Sequence, residues 1–188
     1  LWKELNNGRT LTLYDLGRIP LAKRSGLIGV LRQMTDLVKA EEPKGLPTSK
    51  LFRGTGLAVL NHTLLGAKDN VQVVFKSSPF GTQSHGYEAQ NSFLLYAFGE
   101  RLLIRTGKRD IYGSEHHTKW MWSTRPTNCI TTDGEGQLVH SAKAKGAITA
   151  FSTSAEFDYV VGEAGEAYPD LSRFTRRILF VKPDYIVI

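Results

Sequence analysis

The sequence holds a single cysteine, Cys129, so no internal disulfide can form. That leaves the redox compartment open, because many periplasmic proteins carry none. No apolar run reaches the roughly 18 residues that a membrane-spanning helix needs, which excludes such a helix. The opening "LWKELNNGRT" has neither an initiator methionine nor the pattern of a secretory leader, and the close, "VKPDYIVI", falls inside a strand-like run. Both ends read as cut, so the 188 residues are expected to be a piece of a longer protein. Internal repeats and low-complexity segments are missing. So is any Cys or His pair with zinc spacing. The "GEGQ" at 134–137 lacks the Lys-Ser/Thr that would make it a phosphate loop. The net charge of +6 would suit nucleic acid or an acidic polysaccharide equally. The basic residues are scattered, however, in "AKRSG", "GKRD", "AKAKG" and "FTRR". With no helix-turn-helix pattern and no aromatic-basic RNA motif, nucleic acid is disfavoured as a partner.

An apolar fraction of 41% allows an ordinary core. Residues 26–42, "GLIGVLRQMTDLVKAEE", carry Leu27, Ile28, Leu31, Met34, Leu37 and Val38 at helical spacing. Pro43 ends that run, and Gly45 and Pro47 make a linker. Beyond Leu51 the texture changes to short apolar or alternating runs between Gly, Asn, Pro and Asp: "GLAVLNH", "NVQVVFKSS", "SFLLYAFG", "RLLIRTG", "NCITTD", "AITAFSTS", "FDYVVGEAG", "TRRILFV" and "DYIVI". This predicts a mainly β chain, a large antiparallel β-sandwich after a short helical segment. The "FGER" between two runs predicts a tight hairpin. One region, 108–128, "KRDIYGSEHHTKWMWSTRPTN", is too long for a turn and rich in Trp, Tyr, His and Arg. It reads either as a functional loop or as an aromatic lid over one end of the sandwich.

Few residues offer chemistry. Cys129 begins the alternating run "NCITTD" and reads as a buried strand cysteine rather than a nucleophile. His116 and His117 are adjacent, so on an extended segment they would point to opposite sides and at most one could join His85 on a metal. His62 and His140 look like ordinary strand-end histidines. His85 stands apart. It lies in the polar loop "SSPFGTQSHGYEAQN" with Tyr87, Glu88, Gln90 and Asn91 close behind. The same chain carries an aromatic, basic loop able to line a sugar cleft, where aromatics stack on sugar faces and cations pair with carboxylate or sulfate.

Four pieces in order, "SSPFGTQSHGYEAQNSFLLYAFGERLLIRTG", "WSTRPTNCITTDGEGQ" with its "DG.GQ" turn, and "RRILFVKPDYIVI", resemble the β-sandwich part of heparinase II/III-like polysaccharide lyases from about Leu46 onward. The resemblance implies two parts: an α-helical toroid, then the sandwich, with an acidic polysaccharide in the cleft between them. It divides the chain into a helical segment and linker at 1–45, left from or leading out of the toroid, and a sandwich at 46–188. It implies β-elimination: a base takes the C5 proton of a uronate, an acid protonates the leaving oxygen at C4, and an unsaturated sugar results. It implies secretion to the periplasm or beyond. A binding or structural sandwich of an inactive relative, or a C5-epimerase-like relative, are the alternatives.

Within that resemblance His85 matches the sandwich histidine that works with a toroid tyrosine. Tyr87, Gln90, Asn91, Arg105, His117, Trp120 and Asn128 are the expected substrate contacts, Gln90 and Asn91 alternatively orienting the loop. Some relatives bind a structural zinc beside this loop. Their ligand positions correspond here to Tyr87, Arg105 and Thr127, so no metal and no other cofactor is expected.

Overall fold

A computed structural model describes residues 42–83, 86–107 and 110–188. The predicted helix at 26–42 lies almost wholly outside the described residues. Contacts divide the chain at Pro47/Thr48, and the second unit, Thr48–Ile188, is the one described here.

Among the described residues its frame is nine antiparallel strands in two sheets. The first sheet holds β1 (Lys50–Phe52), β2 (Leu57–Asn61), β3 (Val71–Lys76), β4 (Ser92–Ala97) and β5 (Glu100–Leu103), in that order. The second holds β6 (Ala147–Thr153), β7 (Phe157–Glu163), β8 (Thr175–Val181) and β9 (Tyr185–Val187), again in sequence order. Within each sheet every strand pairs with its predecessor, so sequence neighbours lie side by side. The β4–β5 turn is the tightest: Phe98 and Gly99 both take positive φ, 54° and 84°, as a two-residue hairpin demands. This is the "FGER" turn.

Period-2 alternation sets which faces meet. Ala58 and Leu60 on β2 and Val71, Val73 and Phe75 on β3 point inward. They meet Val160, Ile178 and Phe180 from β7 and β8 in one core. The sheets approach very closely at Gly162, where a Cβ would sit 2.2 Å from Asn91 Oδ1 and 2.5 Å from the Phe75 ring. Only glycine fits there.

The run "NCITTD" forms no strand; it carries one isolated bridge, Thr132 to Glu135. Cys129 is therefore a loop residue. Its segment packs with Ala144, Ala164, Ala167, Tyr168 and Phe174 in a second small core. The segment 110–128 does not stay extended either. It closes into a π-helical turn, His117–Met121, preceded by Ser114, whose carbonyl accepts from the Thr118 amide at 3.0 Å. His116 and His117 are thus neighbours on a helical turn and not on an extended segment. Among the described residues no helix is long and apolar enough to cross a membrane.

Candidate functional site

The loop between β3 and β4 is held by amide side chains that replace secondary structure. Gln90 is fully buried. Its Oε1 accepts from the Ser78 amide at 2.7 Å, and its Nε2 donates to the carbonyls of Ser78 at 3.0 Å and Ala144 at 2.7 Å. Gln137 in turn treats the Gln90 main chain as a strand would, accepting from its amide at 2.8 Å and donating to its carbonyl at 2.9 Å. Asn91 takes a left-handed φ of 58°, which Asn tolerates better than most residues. Its Nδ2 donates to Gly162 and Phe174 carbonyls, tying this loop to the second sheet. Arg176 Nη1 donates to the Asn91 and Asn128 carbonyls at 2.5 and 2.7 Å, fastening the two loops together. Buried polar groups need such partners, so this network fixes the loop as firmly as a ladder would.

That scaffold frames a groove of about 380 Å³ on the outer face of the first sheet. Leu57, Val74, Phe93 and Leu94 supply its apolar part; Lys76, Tyr87, Arg105, Thr127 and Asn128 supply the polar part. The Arg105 guanidinium lies 3.8 Å from the centre of the Tyr87 ring, a cation–π contact. Its Nη2 faces Met121 Sδ at 3.5 Å, while Nη1 is buried with no hydrogen-bond partner. Burial pulls the Lys76 pKa below the ordinary lysine value. Tyr87, Arg105 and Thr127 converge on this one groove. A phenol, a guanidinium and a hydroxyl do not make a zinc site, and Arg105 places a fixed positive charge there. Among the described residues no three His, Cys, Asp or Glu side chains gather as metal ligands.

A second depression of about 370 Å³ is mixed in character, lined by Glu88, Lys119, Arg125, Glu135 and Asp170 together with Leu138 and Val139. Elsewhere a chain of rings meets at tilted and edge-on angles: Tyr112 to His117 at 4.8 Å, His117 to Trp122 at 4.8 Å, and Trp122 to His140 at 3.9 Å. The Gly113 amide donates to His117 Nδ1 at 3.2 Å, and Nε2 is buried without a partner. The Glu88 amide donates to the Trp122 carbonyl at 3.0 Å, which draws this carboxyl inside.

Burial pushes the Glu88 carboxyl up to about 7 from its ordinary 4.5, against a weaker downward pull from the His140 amide. The folded chain then holds a proton that the unfolded chain releases between those values. Stability from this group is full below about pH 4.5 and is lost as pH rises through 7. Glu88→Gln should abolish this dependence, the wild type losing up to about 3 kcal/mol relative to the variant across that window. Denaturant midpoints of both proteins at pH 5 and pH 8 check it; parallel changes in the two would refute the buried proton.

Of the expected site residues, Tyr87, Arg105 and Asn128 come together in the groove. Gln90 and Asn91 are both fully buried, and Gln90's side chain is wholly spent on main-chain groups, an arrangement that fits the loop-orienting alternative. His117 is likewise buried, at 2% exposure, and offers no surface to a glycan. Trp120 is 37% exposed and is not among the residues lining the groove. His85 lies outside the described residues. Three residues escaped the sequence reading: Lys76, which looks like a strand-end lysine; Gln137, hidden in a glycine turn; and Arg176, within a strand run. The "DG.GQ" element was the available signal for Gln137. Cys129 donates its thiol to the Gln90 carbonyl at 3.1 Å, and burial pushes its pKa up, the opposite of a nucleophile's.

The fold and the groove define an antiparallel β-sandwich module with a cation-bearing, partly apolar cleft on its first sheet. The family model "Heparinase II/III-like, C-terminal" matches residues 44–188, and the chain belongs to that family. Among solved structures it resembles the heparan sulfate lyase HepC from Pedobacter heparinus, with a TM-score of 0.66 at 20% identity over 94% of this chain. It also resembles heparinase III structures, with TM-scores of 0.65 at 21% identity over 94% of this chain and 0.61 at 18% over 79%. The chain spans only 26%, 26% and 23% of those three proteins. No curated protein matches it by sequence.

Proposed function

We propose that the full-length protein is a polysaccharide lyase that cleaves an acidic, uronate-containing polysaccharide by β-elimination, and that this chain is the sandwich wall of its cleft. The observation that carries the reading is the family match over 44–188 together with a groove, bordering the loop of His85, that holds Lys76 and Arg105. Elimination needs the uronate carboxylate neutralised so that the C5 proton becomes acidic. Fixed cations aimed at that carboxylate supply such stabilisation, and they act most strongly in a partly apolar wall. His85 then moves the proton as acid or base, with a partner from the helical part. In this reading residues 1–45 connect to that helical domain, the protein works in the periplasm or outside the cell, and nucleic acid is not a partner.

The isolated chain is expected to bind glycan weakly and to turn nothing over, because half the cleft and the second proton-transfer group are elsewhere. The test is incubation of the full-length protein with uronate polymers while following the ultraviolet absorbance of the unsaturated product. Binding without that absorbance would favour a non-catalytic sandwich, and loss of C5 stereochemistry without chain cleavage would favour an epimerase. Turnover by the 188-residue chain alone would refute the two-part cleft.

A further inference from the structure

We propose that Lys76 and Arg105 form a seat for one oxyanion carried on a sugar ring, bound in the groove on the outer face of the first sheet. The seat deepens the acidic-glycan reading, on which it rests for its ligand class, but does not depend on cleavage.

Three features carry it. The lining holds two cations and no carboxylate. Among the described residues neither Lys76 nor Arg105 makes an ion pair. Arg105 Nη1 is buried with no acceptor, so nothing within the protein compensates this guanidinium's charge. Two of the other polar groups around the groove are already engaged: Thr127 Oγ1 donates to the Thr124 carbonyl at 2.6 Å and Asn128 Nδ2 to the Phe93 carbonyl at 2.9 Å, which leaves the Tyr87 and Ser92 hydroxyls as neutral donors. The charged donors in the lining are the two cations.

Geometry adds orientation. Lys76 is cross-strand partner to Leu57 on β2 and Ser92 on β4, on the face opposite the buried Val71, Val73 and Phe75. Its ammonium thus stands over the outer sheet surface beside Leu57, Val74 and Leu94. Stacking on Tyr87 fixes the plane of the Arg105 guanidinium. An apolar floor suits the C–H face of a sugar, and two cations at one side suit a single anionic substituent. The volume, about 380 Å³, lies at the small end for ligand pockets, which limits the occupant to a short piece of glycan. A carboxylate on a uronate and a sulfate ester share this chemistry.

The experiment titrates the 188-residue chain with methyl glucuronide, with glucose 6-sulfate and with neutral methyl glucoside, following backbone amide resonances by NMR. Either anion, but not the neutral sugar, should shift the amides of Tyr87, Ser92, Arg105 and Asn128; which anion does so identifies the source. Added salt should weaken the effect, since exposed charge pairs are screened. Lys76→Gln should weaken binding by about tenfold or more, equivalent to roughly 1.4 kcal/mol. Arg105→Gln should do the same, but Arg105 packs on Tyr87 and Met121, so the decision rests on Lys76→Gln, whose side chain lies on the outer face. Equal shifts with the neutral glucoside, no binding of either anion, or unchanged affinity in Lys76→Gln would each overturn the seat. A protein that binds the glucuronide but releases no unsaturated product from uronate polymers keeps the seat and loses the lyase reading; the reverse pattern keeps the lyase and loses the seat.

Discussion

Asp158→Ala should destabilise the sandwich by about 3–5 kcal/mol, the usual cost of stranding one partner of a buried ion pair. Asp158 on β7 is fully buried. One carboxylate oxygen accepts from Ser49 Oγ at 2.6 Å. The other accepts from Thr153 Oγ1 at 2.5 Å and pairs with Lys182 Nζ at 3.1 Å. Lys182 is itself nearly buried and also donates to Thr48 Oγ1 and the Ser154 carbonyl. The cluster therefore ties the segment before β1 in one sheet to the β6–β7 turn and the end of β8 in the other. Removing the carboxylate leaves an ammonium without its counter-charge, the Thr153 hydroxyl without an acceptor and Ser49 Oγ with only the Asn61 carbonyl at 3.4 Å. For a domain of this size the melting temperature should fall by about 6–20 °C. Adding Lys182→Met should recover part of the loss, because the stranded charge goes with it. A fall of only a degree or two in the single variant would mean that water replaces the carboxylate and that the clasp is not closed.

The strands were legible in the sequence, and this clasp was not, for one physical reason. Alternation such as "NVQVVFK" is a local signal: Val71, Val73 and Phe75 mark the inner face by themselves, and β3 follows. Asp158 within "FDYVV" looks like an outward strand residue, because its partner Ser49 lies 109 positions away. The same holds for the amides near the site. Gln90 and Asn91 in a polar loop read as solvent-facing, yet their partners at Ala144 and Phe174 lie 54 and 83 residues on. "NCITTD" alternates like a strand, but Tyr168 Oη takes the Ile130 carbonyl at 2.8 Å and Gln137 takes the neighbouring Gln90 main chain, so side chains replace the ladder. The meeting of Tyr87, Arg105 and Thr127 in one groove is also non-local. Only the family spacing hinted at it, since a lone arginine after "RLLI" carries no local mark of a cleft.

In the full-length protein, His85→Ala should lower turnover on a uronate polymer by about two to four orders of magnitude, the range for a lost proton-transfer group. The proposed elimination needs a proton moved at C5 or at the leaving oxygen, and a guanidinium such as that of Arg105 can stabilise charge but does not give up its proton. The fold should survive the change, because the loop is held on both sides by other residues. Before it, the Thr82 amide donates to the Ser141 carbonyl at 2.9 Å and Thr82 Oγ1 to Leu138 at 3.2 Å. After it, the Gly86 amide donates to Gln83 at 3.1 Å and the Glu88 amide to Trp122 at 3.0 Å. His85→Gln is the sharper variant, since it keeps a hydrogen bond but cannot shuttle a proton. If proton transfer is the role, Gln and Ala should lose activity alike, with KM little changed in both. Wild-type turnover in His85→Gln would reduce the residue to positioning the substrate. A melting temperature lowered by many degrees in either variant would make it a structural histidine, leaving the proton to a group from the helical part.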